Sequence, residues 1–299
     1  MQKLQLGMIG MGRMGGNMAE RLRRKGHTVI GYDRSQDVSD TTSLNDLVTR
    51  LTSRRIVWVM LAHGPITDQT MLELYYLLDD GDLVINGANG PREDDLRYAE
   101  LLAERGIHYV DAGVSGGVWG LKFGYGLMVG GANTDVRQAM PIFRALKPRG
   151  KYGFVHAGPV GAGHYAKMAH NALEYIIMHG HGEIYELLRA AEADGIIRTG
   201  GVPAIFNGWR SGTVVRSWLL DLFAEALNED PDLNEIDEGV PNGGEGRWAV
   251  AEAVRLQTPF SMMALALSER FASVLVRSLL RRSLNGMRSK FGGHSVKKK

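Results

Sequence analysis

Lys167, His170, Asn171 and Glu174 stand at i, i+3, i+4 and i+7, the spacing that lines one face of an α-helix. A base, an acid and two hydrogen-bonding groups in one stripe are costly to bury unless the stripe faces a polar ligand or moves protons. His170 taken alone is equally well a satisfied structural histidine. Lys167 as a base must first lose its own proton, which burial or neighbouring cations favour.

A second constellation lies at the start of the chain. Gly10-Met11-Gly12-Arg13-Met14-Gly15 fits G-x-G-x-x-G. It follows the apolar run Leu4 to Ile9 and opens a helical pattern, Asn17 to Lys25, that Gly26 stops before a second strand, Thr28 to Tyr32. That is the βαβ context in which such glycines let the backbone approach a pyrophosphate held at a helix N-terminus. The plain alternative is an α/β turn without a ligand. Asp33 ends the second strand, 18 residues beyond Gly15. A carboxylate there accepts from ribose hydroxyls and repels a 2′-phosphate, so NAD is the expected cofactor. Arg34 follows and could stack on adenine, reach a phosphate, or be a solvated loop charge.

Two further segments suit a ligand. Asp111-Ala112-Gly113-Val114-Ser115-Gly116-Gly117 and Asn86-Gly87-Ala88-Asn89-Gly90 both end strands, where open α/β sheets bind their ligands. Ser115, Gly116 and Gly117 offer a hydroxyl and backbone N–H groups to a carboxylate or hydroxyl. Asn89 could hold substrate or the nicotinamide carboxamide. The competing reading of each segment is a plain turn.

The elements that must carry these residues divide the chain. From residue 1 to about 157, short apolar runs (Ile56 to Leu61, Leu83 to Asn86, His108 to Asp111, Leu127 to Val129) alternate with helical patterns (Pro65 to Leu78, Pro91 to Arg105, Thr134 to Leu146). That alternation predicts a doubly wound, mostly parallel α/β sheet, a Rossmann domain over 1–157. From 158 a long helical pattern reaches Asp194-Gly195. Val214 to Ala226, Trp248 to Leu256 and Ser261 to Leu280 are helical, Asn228 to Gly246 is an acidic, glycine-rich loop, and no strand is evident. An all-α domain over 158–299 is expected.

Composition narrows the function classes. A chain of 299 residues with 44 % hydrophobic content can bury a sizeable core in two domains. It has no cysteine, which excludes disulfides, thiolate nucleophiles and zinc–thiolate sites. The polar start runs directly into a strand, and no apolar run reaches membrane-spanning length, so a cytoplasmic protein without a leader or membrane partner is expected. A net charge of +2 does not point to nucleic acid. Beyond Glu269 no acidic residue occurs, while Arg277, Arg281, Arg282, Arg288, Lys290 and Lys297 to Lys299 accumulate. That is a solvated basic tail or an anion site for a phosphorylated substrate; without interleaved aromatics it is not a nucleic-acid surface.

These segments together resemble the 6-phosphogluconate dehydrogenase family of the β-hydroxyacid dehydrogenase superfamily. The similarity rests on Val114-Ser115-Gly116-Gly117, on Leu127-Met128-Val129-Gly130-Gly131, and on Gly163 to Tyr175, read Gly-His-Tyr-Ala-Lys-Met-Ala-His-Asn-Ala-Leu-Glu-Tyr. Trp209-Arg210-Ser211-Gly212, Gly246-Arg247-Trp248 and the closing Arg288 to His294 also align. The resemblance implies oxidative decarboxylation of 6-phospho-D-gluconate with reduction of NAD and without a metal. It implies Lys167 as general base and Glu174 as general acid, with His170 and Asn171 orienting hydroxyls or the nicotinamide. Ser115, Gly116 and Gly117 would then hold the carboxylate end of the substrate. Tyr175, Arg247, Arg270 and Arg288 of the partner subunit would hold the phosphate, with His294 on the same tail. A homodimer or higher homo-oligomer follows. The chain departs from the long forms at Val118-Trp119, where those have two glutamates, and at Asn86 and Ala88 around Asn89. Two other readings compete: a 3-hydroxyisobutyrate-type dehydrogenase, which usually lacks the His170 and Glu174 equivalents, and a non-catalytic NAD-binding regulator, which need not keep both proton carriers.

Overall fold

A computed structural model of the chain describes residues 2–275, 279, 282–284 and 287. Contacts group the chain into two compact units, Met1–His170 and Asn171–Lys299.

The first unit is built on a seven-stranded sheet of order β2-β1-β3-β4-β5-β6-β7. Its strands are β1 (Gln5–Ile9), β2 (Thr28–Tyr32), β3 (Ile56–Val59), β4 (Leu83–Asn86), β5 (His108–Ser115), β6 (Gly126–Gly131) and β7 (Phe154–Gly158). All neighbouring pairs are parallel except β5 with β6. The α/β expectation therefore holds. β3 and β4 are buried at every position, as strands covered on both faces must be. Alternate side chains feed two cores: Trp58 and Ile85 pack with Leu6 and Phe143 on one side, Val57, Val59 and Val84 with Leu47 and Met71 on the other.

The helices of this unit are α1 (Arg13–Arg24), α2 (Leu44–Thr49), α3 (Pro65–Leu77), α4 (Arg92–Ala103), α5 (Gly120–Phe123) and α6 (Asn133–Leu146). Helix α1 begins four residues earlier than the pattern from Asn17 predicts, because the glycine motif itself forms the first turn. β5 runs on to Ser115 rather than ending at Asp111, because β6 pairs along it with Asp111 opposite Gly130 and Ser115 opposite Gly126. β7 and α2 are not legible as elements in the sequence: β7 is an edge strand with no fully buried residue, and α2 spans only six residues.

Helix α7 (Ala162–Ala193) is 32 residues long and ends where Gly195 adopts φ +78°. The second unit continues with α8 (Gly201–Trp209), α9 (Trp218–Glu229), α10 (Glu245–Arg255) and α11 (Ser261–Ser273), and among the described residues it has no strand. The sequence patterns do not reveal α8. α9 starts at Trp218 rather than Val214 because Ser217 Oγ caps it by accepting from Leu220 N at 3.1 Å. Phe206, Leu220, Ala224 and Leu227 form the core of α8 and α9. No helix among the described residues is long and apolar enough to cross a membrane.

Candidate functional site

The glycine turn has the shape a dinucleotide needs. Gly10 takes φ +90°, and a Cβ there would lie 2.3 Å from the Met60 carbonyl. A Cβ on Gly15 would lie 1.8 Å from the Gly10 carbonyl, so the third glycine lets the helix fold back onto the turn. Gly12 caps α1 without a side-chain bond, and the first turn of α1 holds no acid. Its N–H groups and Arg13 therefore open onto the exposed side of the turn. Met11 is buried, with its thioether lying over Gly31, so its side chain is turned away from any ligand. Asp33 Oδ2 accepts from Met11 N at 2.7 Å and Oδ1 from Ser35 N at 3.0 Å. The acid that ends β2 is thus fixed to the glycine turn, with its remaining lone pairs available for ribose hydroxyls. Arg34 is exposed. These residues fit a bound NAD.

Ser115, Gly116 and Gly117 follow β5 into a 3₁₀ turn. Gly116 and Gly117 have φ +135° and +49°, which few other residues adopt. Ser115 Oγ lies 3.4 Å from His170 Nε2, so the helix face and the strand end predicted to share a ligand do meet. Lys167 is 8 % exposed. Its stem lies flat on β5: a Cβ added to Gly113 would be 2.4 Å from Lys167 Cβ. Gly113 lies within a segment singled out by sequence, yet nothing in the sequence gives it a role. Trp119 and Phe123 stack beyond the turn with centroids 6.1 Å apart, and both are exposed.

Behind Lys167 lies a buried ionic cluster that sequence reasoning also missed. Asp95 from α4, Asp111 from β5 and His164 from α7 are each at most 1 % exposed, and their polar atoms lie within 4.8 Å of one another. Asp111 caps α7 from another element: Oδ1 accepts from Gly161 N at 2.6 Å and Oδ2 from His164 N at 2.8 Å. His164 Nδ1 meets Asp95 Oδ2 at 2.8 Å. Tyr109 OH donates to Asp95 at 2.8 Å. Asn86 Nδ2 reaches Tyr109 OH at 2.9 Å, while Asn86 Oδ1 accepts from Ala88 N at 3.0 Å and so shapes the turn that carries Asn89. Burial alone would lower the His164 imidazole, but Asp95, by charge and hydrogen bond, and then Asp111 outweigh it and hold it above its ordinary value. Burial, then the charge of Asp95, pushes the Asp111 carboxyl up against the opposing pull of His164 and the two backbone donors. Little in the sequence signals this cluster: Asp111 is a polar residue closing an apolar run, but Asp95 stands in the charged run Arg92-Glu93-Asp94-Asp95.

The second unit holds the remaining candidates. Asn171 is buried and donates to Glu245 Oε1 at 3.0 Å; Glu245, the first residue of α10, was not anticipated. Tyr175 is buried, and the Arg270 guanidinium lies 3.7 Å from its ring centroid, a cation–π stack. Tyr175 OH accepts from Gly243 N at 3.4 Å, and Arg270 Nη1 donates to the Pro241 carbonyl at 3.1 Å. Both residues line a cleft of about 580 Å³. Glu183, Glu186 and Glu269 line it as well, so only the Arg270 side suits an anion. Glu174 is half-buried and Arg247 is exposed on α10. His179 lies 3.4 Å from Glu183 and lines the same cleft, and His181 stacks on Phe223. Arg288 and His294 lie outside the described residues.

The family model for the NAD binding domain of 6-phosphogluconate dehydrogenase matches residues 5–153, and that for the enzyme's C-terminal domain matches residues 163–298. The chain is 36 % identical to a Haloferax volcanii protein named NAD(+)-dependent, decarboxylating 6-phosphogluconate dehydrogenase, over 99 % of each chain. It is 30 % identical to a decarboxylating 6-phosphogluconate dehydrogenase of Staphylococcus aureus, over 97 % of this chain and 66 % of that longer one. The fold matches a Plasmodium falciparum 6-phosphogluconate dehydrogenase with a TM-score of 0.83 at 24 % identity, covering 99 % of this chain and 66 % of that one. A Mycobacterium tuberculosis 3-hydroxyisobutyrate dehydrogenase gives 0.67 at 19 % identity, covering 91 % and 95 %. With both halves matched in order and the NAD-type glycine turn in place, this chain belongs to the 6-phosphogluconate dehydrogenase family.

Proposed function

We propose that this protein catalyses the oxidative decarboxylation of 6-phospho-D-gluconate to D-ribulose 5-phosphate and CO2 with reduction of NAD. The observation that carries this reading is the face of α7, where buried Lys167 and half-buried Glu174 stand two turns apart, about 10 Å along one helix. A reaction that takes a proton from one carbon's hydroxyl and later returns one to another carbon needs two such carriers. Bound NAD supplies the hydride acceptor. Lys167 takes the proton of the C3 hydroxyl as the hydride leaves. The same Lys167, now an ammonium, polarises the C3 ketone so that the electrons freed by loss of CO2 are accommodated on its oxygen. Glu174 delivers the proton that the resulting enediol needs at the former C2, which becomes C1 of ribulose 5-phosphate. Ser115, Gly116 and Gly117 hold the carboxylate end, with His170 and Asn171 orienting hydroxyls and Asn89 the nicotinamide side.

Arg270, stacked on Tyr175, binds the phosphate with Arg247 and with Arg288 of the partner subunit; charge-assisted bonds of this kind are the strong ones. The enzyme works in the cytoplasm as a homodimer or larger homo-oligomer. Mixing Arg288→Ala subunits with Lys167→Met subunits restores activity only if Arg288 acts across the interface.

The deciding assay follows NADH and trapped CO2 with 6-phosphogluconate, comparing NAD with NADP. The two products appear together, with NAD preferred. Turnover of 3-hydroxyisobutyrate with none of 6-phosphogluconate would overturn the reading.

A further inference from the structure

We propose that His164 is a positioning residue: its bond to Asp95, together with the Asp111 cap, anchors the first turn of α7 and so sets where Lys167 stands against β5. The inference rests on the proposed role of Lys167 and deepens it. Asp111 fixes the start of the helix by accepting both Gly161 N and His164 N. An acid at a helix N-terminus is favoured by the helix dipole as well as by the two bonds. His164 then ties the same turn to Asp95 on α4, and Asp95 is held in turn by Tyr109 from β5 and by Asn86 at the end of β4.

One connected network therefore joins three segments of the site. It includes the Asn86 contact that shapes the turn carrying Asn89, the strand that ends in Ser115, and the helix turn immediately before Lys167. Gly113 completes the arrangement by letting the Lys167 stem touch the strand. A buried charge cluster is a poor source of net stability, and hydrophobic residues could fill this volume. What it supplies is a fixed geometry, since ionic partners tolerate little displacement in a dry interior. His164 is wholly buried, and the backbone of Ala112 on β5 also favours its charged form. A misplacement of ~1 Å at a reacting group costs on the order of 100-fold in rate.

The test is a double-mutant cycle on the full-length enzyme. His164→Gln removes the ring that both buried carboxylates face, and Asp95→Asn removes the nearer of its two acidic partners; the double variant leaves a neutral pair of hydrogen-bonding amides at 164 and 95. Each single change lowers kcat by roughly 10- to 100-fold with KM for NAD unchanged, and the double variant recovers much of the loss. Tyr109→Phe, which removes one bond to Asp95, is the gentle variant should the others not fold. Its kcat falls a few-fold, and amide exchange at residues 164–168 quickens, a readout that needs no substrate. Singles that keep the wild-type kcat and differ only in melting temperature overturn the proposal, as do losses that simply add in the double variant. Wild-type turnover of 6-phosphogluconate judges the reaction separately. The variant-to-wild-type ratio is taken on whichever hydroxyacid the wild type oxidises, so the role of His164 is tested even if the substrate is a different one.

Discussion

The two units solve different problems with different materials. In the first, strands buried on both faces, a capped helix start and interlocking charges fix Ser115, Gly113 and Lys167 through the interior. In the second, the candidate anion site is a single stack of Arg270 on Tyr175, backed by a main-chain carbonyl. Its helices also leave large apolar side chains such as Leu265, Met262, Phe271 and Leu256 exposed. Around Lys167 the first unit offers fixed geometry to a proposed proton carrier, and around Arg270 the second offers a charge to an anion. Substitutions at Lys167 and Gly113 should therefore fall on kcat, and those at Arg270 on KM.

The largest effect expected is at Lys167. Lys167→Met should lower the rate of NADH formation by at least ~100- to 10,000-fold, the range for a lost general base, with NAD binding intact by fluorescence titration. A variant within tenfold of wild type would remove Lys167 from the mechanism. Next is Gly113→Ala, whose new Cβ would lie 2.4 Å from that of Lys167. Overpacking of this kind costs about 1–3 kcal/mol, and the displaced base should lower kcat on the order of 100-fold; a variant that only melts earlier would show that the close approach is mere packing.

Arg270→Met should raise KM for 6-phosphogluconate by about 10- to 100-fold, corresponding to loss of a charge-assisted bond of ~1.5–3 kcal/mol, and leave kcat within a few-fold. A kcat defect without a KM change would erase the proposed contrast between the units. Asp33→Asn should narrow the preference for NAD over NADP by roughly tenfold, since one repulsive charge is removed. A wild type that already favours NADP would shift the weight to Arg34.

The smallest effect is in pH. Because the folded state holds the His164 imidazole above its ordinary value, its contribution to stability is full below the unfolded imidazole pKa of about 6.5 and is lost as pH rises through the higher folded value. Melting temperature should thus fall more steeply above neutrality in wild type than in His164→Gln. Parallel curves would mean that His164 does not change protonation on unfolding in that range.

Much of the molecule is open to reading from the chain itself. The glycine turn, the acid ending β2, the alternation of strands with helices and the stripe on α7 are local patterns, fixed by residues near in sequence whose spacing matches the period of one element. The limits of the elements are less legible. β5 outruns its apolar pattern because its length depends on pairing with β6, and α1 begins inside the motif because glycine-rich residues carry no helical periodicity. The short α2 and the half-exposed β7 offer no pattern long enough to recognise.

By itself, then, the sequence determined the fold class and the NAD cofactor and nominated the candidate proton carriers, since each follows from short-range spacing and residue chemistry. The tertiary structure alone decided that Asp111 caps a helix 50 residues away, that His164 meets Asp95 across 69 residues, that Gly113 is the seat of Lys167, and that Arg270 lies on Tyr175. Those contacts join residues distant along the chain, and a polar residue in an apolar stretch does not announce its partner until the fold has removed the water between them.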